Sequence, residues 1–476
     1  MREEGPTTAA AIDERYFDLN IQRVLEHWSV SEALREIIAN ALDEAALTNT
    51  ATPEIFEDAD GTWHVRDSGR GLRYEHFTQN EDAEKLAKPH LVIGKFGVGL
   101  KDAVATFDRH NITVLIRSKF ADITIESVPK HGFDEVLTLH AVVAPASRPD
   151  MVGTEFVLGG LTAEDVDRAK DFFLIYSGDV ALEDTRYGQV LKRGMAEARI
   201  YVNGLRVAEE PNFLFSYNIT SLTKALRAAL NRERSNVGRQ AYSDRVKAIL
   251  MACSTPDVAG ELATDLSKFA AGKNHDETAW VDVSLHACRV LNAHEPVVFI
   301  TADQYYTGAG LISRATADGY RVVVVPETVA AKLPTLEDVE GNAIRDLGRY
   351  QVEWNGSFEY QFVDPNDLTK RERTVFDLGD RALALVAKEA RRVKTLRISE
   401  TMRISARDGS EAVGVWDGTL EQIVIKRDQL RHADLFLGTL LHEVAHAYSG
   451  APDIDEVFES ALTHLLGRTG TKAVDG

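Results

Sequence analysis

The sequence predicts a multidomain α+β protein, and three observations carry that reading. A chain of 476 residues exceeds what one hydrophobic core organises, so three or four domains are expected. Helical and strand periodicities both occur: SEALREIIANALDEAA (31–46) repeats its apolar residues at helical spacing, while Thr62–Arg66 alternates like a strand. Two short apolar runs, Val297–Ile300 and Arg321–Val325, flank a helix-length segment, the pattern of a small α/β unit with a parallel strand pair.

Composition narrows the function classes. The chain is 44% hydrophobic and 27% charged, an ordinary globular balance, and no apolar run approaches the length of a membrane span. The start, MREEGPTTAAAIDERYFDL, lacks the basic beginning and apolar centre of a secretory signal. Cys253 and Cys288 cannot make a disulfide framework, and neither has a partner at zinc-ligand spacing. A soluble, cytoplasmic protein is expected. The net charge of −20 opposes non-specific binding of nucleic acid by the whole surface, although basic residues gather in 227–245 and 370–403.

In chain order, the first strong element is the helix predicted over 31–46. Its stripe is Leu34, Ile37, Ile38, Ala41, Leu42 and Ala45, with Ser31 as N-cap and Glu36, Asn40 and Asp43 on the polar side. Glu36 and Asn40, one turn apart, can face a common ligand. The strand at 62–66 runs into Asp67-Ser68-Gly69-Arg70-Gly71-Leu72, where a carboxylate faces a pocket and glycines let the backbone approach a ligand. Gly94-Lys95-Phe96-Gly97-Val98-Gly99-Leu100-Lys101 then precedes the helix-like Asp102–Phe107. Glycines before a helix start expose backbone N–H groups suited to a phosphate chain.

These segments together resemble the GHKL superfamily of ATPases: gyrase-type topoisomerases, MutL, MORC proteins, the large heat-shock chaperones and histidine kinases. EIIANALDEA stands for the first motif, DSGRGL for the second and GKFGVGL for the third, and Gly153-Thr154 before the strand-like 155–158 fits the fourth. The resemblance covers about residues 20–160. It implies an α/β sandwich that binds ATP and Mg²⁺. Glu36 would be the general base that activates water, Asn40 the Mg²⁺ ligand, and Asp67, supported by Thr154, the acceptor for the adenine amino group. Asp43 would order the helix or nearby water. Gly69 and Gly71 would line the nucleotide, and Gly94, Gly97 and Gly99, with Val98, Leu100 and Lys101, would belong to the lid over the phosphates. A glutamate at position 36 favours hydrolysis over phosphotransfer.

The next segment contains a predicted hairpin, Ala198–Val207, turning at Asn203-Gly204. It stands where the hydrolytic GHKL proteins place a transducer domain that reaches a cation to the γ-phosphate; Lys224, Arg232 and Arg234 are candidates by position and charge. The α/β unit at 285–345 reads as a structural spacer, although Asp303 and Glu327 lie just past strand ends. Residues 350–375, punctuated by Asn355-Gly356 and Asp364-Pro365-Asn366, read as a linker, with Arg381–Arg392 helical beyond it.

Near the C-terminus, Leu440–Leu462 reads LLHEVAHAYSGAPDIDEVFESAL. His442 and His446, four apart on a helix, project from one face and can hold zinc, while Glu443 between them can take a proton from a water on the metal. Glu459, on a second helix with Val457, Ala461 and Leu465 as its stripe, is the expected third ligand; Glu456 and Asp455 compete for the role. The arrangement resembles gluzincin-type metallopeptidases, which implies that Gln422–Lys426 is the edge strand along which substrate lies.

The expected domains are therefore 1–165 (GHKL ATPase), 166–255 (transducer-like), 256–350 (small α/β) and 351–476 (zincin-like peptidase). The expected function is an ATP hydrolase whose nucleotide-dependent homodimerisation governs a zinc peptidase acting on a protein or peptide, in the manner of a bacterial regulatory or defence factor. The alternative is a chaperone- or MORC-like ATPase whose peptidase fold only binds a partner. Glu443 discriminates, because a binding-only domain has no use for a base between two ligands.

Overall fold

The computed structural model describes residues 14–20, 28–77, 83–88, 92–93, 99–131, 133–230, 237–404 and 410–475. The chain is multidomain and mixes helices with sheets. It forms two compact units, Met1–Leu262 with His275–Val283, and Ala263–Asn274 with Ser284–Gly476. None of the described helices is long and apolar enough to cross a membrane.

The first unit is built on a seven-stranded sheet of β1 (Arg15–Asp18), β2 (Glu54–Glu57), β3 (Trp63–Arg66), β4 (Thr113–Ser118), β5 (Asp122–Lys130), β6 (Phe133–Ala144) and β7 (Thr154–Gly159). The order is β1-β6-β5-β4-β7-β3-β2, with every neighbouring pair antiparallel. Helices α1 (Val30–Thr48), α2 (Ala83–Ala87) and α3 (Gly99–Arg109) belong to the same unit. Leu34, Ile37 and Ile38 of α1 and Val104 and Phe107 of α3 share one core with Val65, Ile116, Phe156 and Leu158 of the sheet. Each such side chain contributes roughly 1.5–3 kcal/mol when fully buried. The N-cap of α1 is Ser29, in a capping box with Glu32, and not Ser31, which is buried. The cap stands two residues earlier than expected, because it needs a side-chain oxygen free to accept from the N3 N–H.

A second, five-stranded sheet of the same unit contains β8 (Ala181–Thr185), β9 (Gly188–Leu191), β10 (Ala198–Val202), β11 (Leu205–Glu210) and β12 (Ser216–Ile219), in the order β11-β10-β12-β9-β8. The β10–β11 turn has Asn203 at φ 47° and Gly204 at φ 80°, the left-handed pair that an Asn-Gly turn supplies. His275–Val283 is tied to this sheet by Glu277, whose buried carboxylate accepts hydrogen bonds from the N–H groups of Leu214 and Phe215 and from the Tyr217 hydroxyl.

The second unit holds the parallel pair β13 (Val297–Ile300) and β14 (Arg321–Val324). It also holds a four-stranded sheet of β15 (Phe362–Val363), β16 (Thr395–Ser399), β17 (Gly414–Asp417) and β18 (Gln422–Lys426), ordered β15-β16-β18-β17. Two expectations are corrected here. Residues 350–375 are not a linker, since they carry the end of helix Leu347–Ser357, strand β15 and helix Lys370–Phe376. The Asn355 amide is taken up by the backbone of Ile404, which it both donates to and accepts from, so the Asn-Gly pair makes no turn. Arg381–Arg392 is also not one helix: Leu378–Leu385 ends before a separate 3₁₀ turn at Glu389–Arg392.

Candidate functional site

Two constellations emerge, one in each unit. In the first, α1 contributes Glu36, Asn40, Asp43 and Glu44. Glu36 is buried, and Arg35 beside it donates Nε and Nη2 to Glu36 Oε1 at 3.2 and 3.0 Å. The Arg35 guanidinium is held between the Trp28 and Phe172 rings, 5.4 and 5.2 Å from their centroids. The other carboxylate oxygen of Glu36 abuts Gly99, the first residue of α3, where any Cβ would overlap it.

Asp67, directly after β3, is another buried carboxylate of this unit. Its Oδ1 accepts from Gly69 N–H at 2.8 Å and Thr154 N–H at 3.3 Å, and its own N–H donates to the Thr154 carbonyl at 3.0 Å. Burial pushes its carboxyl above the usual range, and the nearby Glu44 charge adds to this. Gly153, at φ 83°, sits so close that a Cβ there would overlap the Asp67 carbonyl oxygen. Gly71, at φ 91°, passes the Gly153 carbonyl in turn. Gly69 packs on the Glu44 side chain, which its missing Cβ permits.

Several partners in this constellation were not foreseen from sequence. Arg70 joins Glu44 through Nε and Nη2 at 2.9 and 2.8 Å and reaches Glu84 of α2 at 2.7 Å. Lys85, also of α2, places Nζ 2.8 Å from Asp43 Oδ2 and 3.2 Å from Asn40 Oδ1. The Arg between two glycines of DSGRGL was the available signal for the first; nothing local marked Lys85. Leu100 is buried and Lys101 partly so on α3, and Lys224 is exposed on helix Lys224–Ala229. Gly94, Gly97, Val98, Arg232 and Arg234 lie outside the described residues.

The second constellation lies on the motif helix, Ala433–Ser449. Phe436, Leu440 and Val444, spaced by four, are fully buried and lock the helix onto the sheet, whose Ile423 and Ile425 join the same core. Gly450, at φ 68°, ends the helix, and its N–H donates to His446 O at 2.9 Å. The chain then doubles back through Ala451 and Pro452. This return brings Asp453 Oδ1 to 3.1 Å from His442 Nε2 and 3.3 Å from His446 Nε2, while the two Nε2 atoms are 3.2 Å apart. Among the described residues, His442, His446 and Asp453 form the one group arranged to hold a metal ion. Two imidazole nitrogens and one carboxylate oxygen are a donor set that suits zinc.

The carboxylate that meets the two imidazoles is Asp453, not Glu459, the residue expected as third ligand. Glu459 is exposed and lines a separate surface hollow with Glu456, Ser460, Thr463 and His464. Asp455 caps the C-terminal helix, Glu456–Asp475, by accepting from Val457 N–H at 2.8 Å. The side chain that this helix turns to the histidines is Phe458, stacked on the His446 ring at 4.2 Å and edge-on to the His442 ring at 4.9 Å between centroids. Its buried stripe is accordingly Phe458, Ala461 and Leu465, with Val457 exposed.

Glu443 is buried between the motif helix and β17: Gly414 lies so close that a Cβ there would crowd the Glu443 carboxylate and Thr439. Desolvation pushes its carboxyl up to about 7, against a hydrogen bond from the Trp416 backbone that lowers it. Burial, and the neighbouring His446, hold His442 below the ordinary imidazole value, which favours the neutral form a metal requires. The edge strand beside this site is β17, not Gln422–Lys426: β18 is paired on both sides, by β16 and β17. Its all-apolar centre, Ile423-Val424-Ile425, is what an interior strand carries.

Comparison with known proteins places the chain among relatives whose roles are themselves open. Residues 164–256 match the family described as the Mycoplasma pneumoniae MPN635 N-terminal domain. Over 242 residues the chain is 37% identical to an uncharacterized protein of Mycoplasma pneumoniae, an alignment covering 50% of this chain and 96% of that protein. The chain belongs to the family of that protein. A second uncharacterized protein of the same organism is 34% identical over 110 residues, 23% of this chain and 31% of the relative, so the chain spans about a third of that relative's length.

Proposed function

We propose that this chain binds and hydrolyses ATP in its first unit, as a GHKL-type ATPase, and that its second unit is a zinc-dependent peptidase of zincin type governed by nucleotide state. The observation that carries the peptidase part is the meeting of His442, His446 and Asp453 beside the buried Glu443. His442, His446 and Asp453 would hold a zinc ion, which when bound would supply Lewis-acid chemistry toward a peptide carbonyl and water. Glu443, with a carboxyl raised to about 7, is matched to accept a proton from the attacking water near neutral pH and return it to the leaving amine. Trp416 N–H orients its carboxylate, and β17, the last strand in the order of the described sheet, offers its remaining outward backbone groups to an extended peptide.

The ATPase part rests on Glu36, buried with Gly99 against it, Asn40 one turn along the same helix, and Asp67, buried with Gly153 against it. Asp67 would accept a hydrogen bond from the adenine amino group, and Asn40 would hold Mg²⁺ with the triphosphate. Arg35 keeps Glu36 oriented to take a proton from water at the γ-phosphate.

The test is metal analysis by mass spectrometry of wild type and His446→Ala, beside ATP turnover of wild type and Glu36→Ala. One zinc per chain, lost in His446→Ala, and ATP binding without turnover in Glu36→Ala are expected. A wild type that takes up no zinc when supplied with it defeats the peptidase reading. Undiminished turnover in Glu36→Ala removes the assigned base.

A further inference from the structure

One peptide group in the first unit is gripped from both sides. Its N–H, that of Ile93, donates to Asp43 Oδ1 on α1 at 2.5 Å. Its C=O, that of Val92, accepts from the Asn203 side-chain amide at 2.9 Å, and Asn203 sits in the β10–β11 turn of the five-stranded sheet. A peptide group is planar and stiff, with N–H and C=O pointing in opposite directions. A displacement at Asp43 therefore tilts the whole plane and carries the carbonyl with it. Val92 is buried, so water does not readily replace a bond lost there.

We propose that the Val92–Ile93 peptide couples nucleotide occupancy to the five-stranded sheet, with Asn203 as the positioning residue; this rests on the reading of the first unit as an ATP site. Both ends of the connection are wired further. On the nucleotide side, Lys85 bonds Asp43 Oδ2 at 2.8 Å and Asn40 Oδ1 at 3.2 Å. A cation arriving at Asn40 with ATP competes with the Lys85 ammonium for that oxygen and repels it, so the charge balance at Asp43 changes on binding. On the sheet side, Asn203 is followed by Gly204, whose N–H donates to Asn218 Oδ1 at 2.9 Å, and Asn218 donates in turn to Gln189 Oε1 at 2.8 Å. Gly204 O also accepts from Leu174 N–H at 2.8 Å. A shift of the turn is thus passed to β12 and β9. Asparagine serves both requirements at position 203, since it tolerates the left-handed backbone and carries an amide donor.

The experiment is hydrogen exchange on the full-length chain with and without Mg·ATP, for wild type, Asn203→Gly and Asn203→Asp. Glycine keeps the left-handed turn and deletes the amide; aspartate keeps the volume and removes the donor, which separates the hydrogen bond from packing. In wild type, Mg·ATP changes exchange both in α1 around 36–43 and in 198–219. Both variants keep the α1 response and lose the 198–219 response, bringing a several-fold change in exchange rate to near unity. If the variants retain the sheet response in full, the coupling role of this peptide is overturned while the ATP site stands. If wild-type α1 does not respond to Mg·ATP, both the site and the coupling fall.

Discussion

His446 turns its Nδ1 toward the carbonyl oxygen of Ala451, 2.9 Å away. A carbonyl can only accept, so Nδ1 carries a proton, and in the neutral ring the lone pair then lies on Nε2, the atom facing His442 and Asp453. Such an outer hydrogen bond fixes the tautomer and ring orientation that a metal ligand needs. The turn that follows Gly450 therefore does two things: it orients one histidine through Ala451 and brings the Asp453 carboxylate to both imidazoles.

That geometry separates two variants that the sequence makes look alike. Asp453→Ala is expected to weaken zinc binding by on the order of 100-fold or more, because a ligand is removed. Glu459→Ala is expected to leave it unchanged. Zinc titration against a competing chelator measures both, and an unchanged affinity in Asp453→Ala would return the third-ligand role to another residue.

The burial of Glu443 makes metal-free stability depend on pH. With its carboxyl raised from 4.5 to about 7, the folded protein holds this proton between those values while the unfolded chain has lost it. The contribution is fully present below about pH 4.5 and is lost as pH rises toward 7, a fall of up to about 3 kcal/mol. Glu443→Gln is expected to abolish that part of the slope. Urea unfolding in chelator at several pH values between 4.5 and 7.5 measures it, and parallel slopes for the two proteins would contradict it.

Arg35 and Glu36 form a fully buried ion pair, so the two cannot be changed separately without cost. Arg35→Met takes two guanidinium hydrogen bonds away from a buried carboxylate and is expected to destabilise the protein by about 3–5 kcal/mol. Adding Glu36→Gln should restore most of that loss. Denaturant midpoints for the two single variants and the double variant make the cycle, and additive losses would show that the pair is not coupled.

Gly153 stands where only glycine fits, with φ 83° and the Asp67 carbonyl against its α-carbon. Gly153→Ala is expected to cost about 1–3 kcal/mol from backbone conformation alone, and more from displacing Asp67. Because Asp67 holds the adenine in the proposed site, ATP affinity should fall together with thermal stability. A variant with a lowered melting temperature and undisturbed ATP binding would dissociate Asp67 from the nucleotide.

Much of the local structure was legible in the sequence. The stripe of Leu34, Ile37 and Ile38, the Asn203-Gly204 turn, the parallel pair β13–β14 and the four-residue spacing of His442 and His446 depend on backbone periodicity over a few residues, and each appears as read. The misreadings came where a local signal met a tertiary partner. Asn355 signals a turn until Ile404 occupies its amide. Val457 reads as part of a core stripe until Phe458 is found against the histidine rings.

The sequence by itself determined that both imidazoles share a helix face, that an acid stands between them, and that α1 carries Glu36, Asn40 and Asp43 on its polar side. Only the tertiary structure decided which carboxylate meets the imidazoles, which strand is the sheet edge, and which cations hold the α1 carboxylates. The physical reason is range. Helical and strand spacing are set by bonds between near neighbours. The position of Asp453 depends instead on a left-handed glycine that reverses the chain and on the burial of Phe458, which turns Glu459 outward.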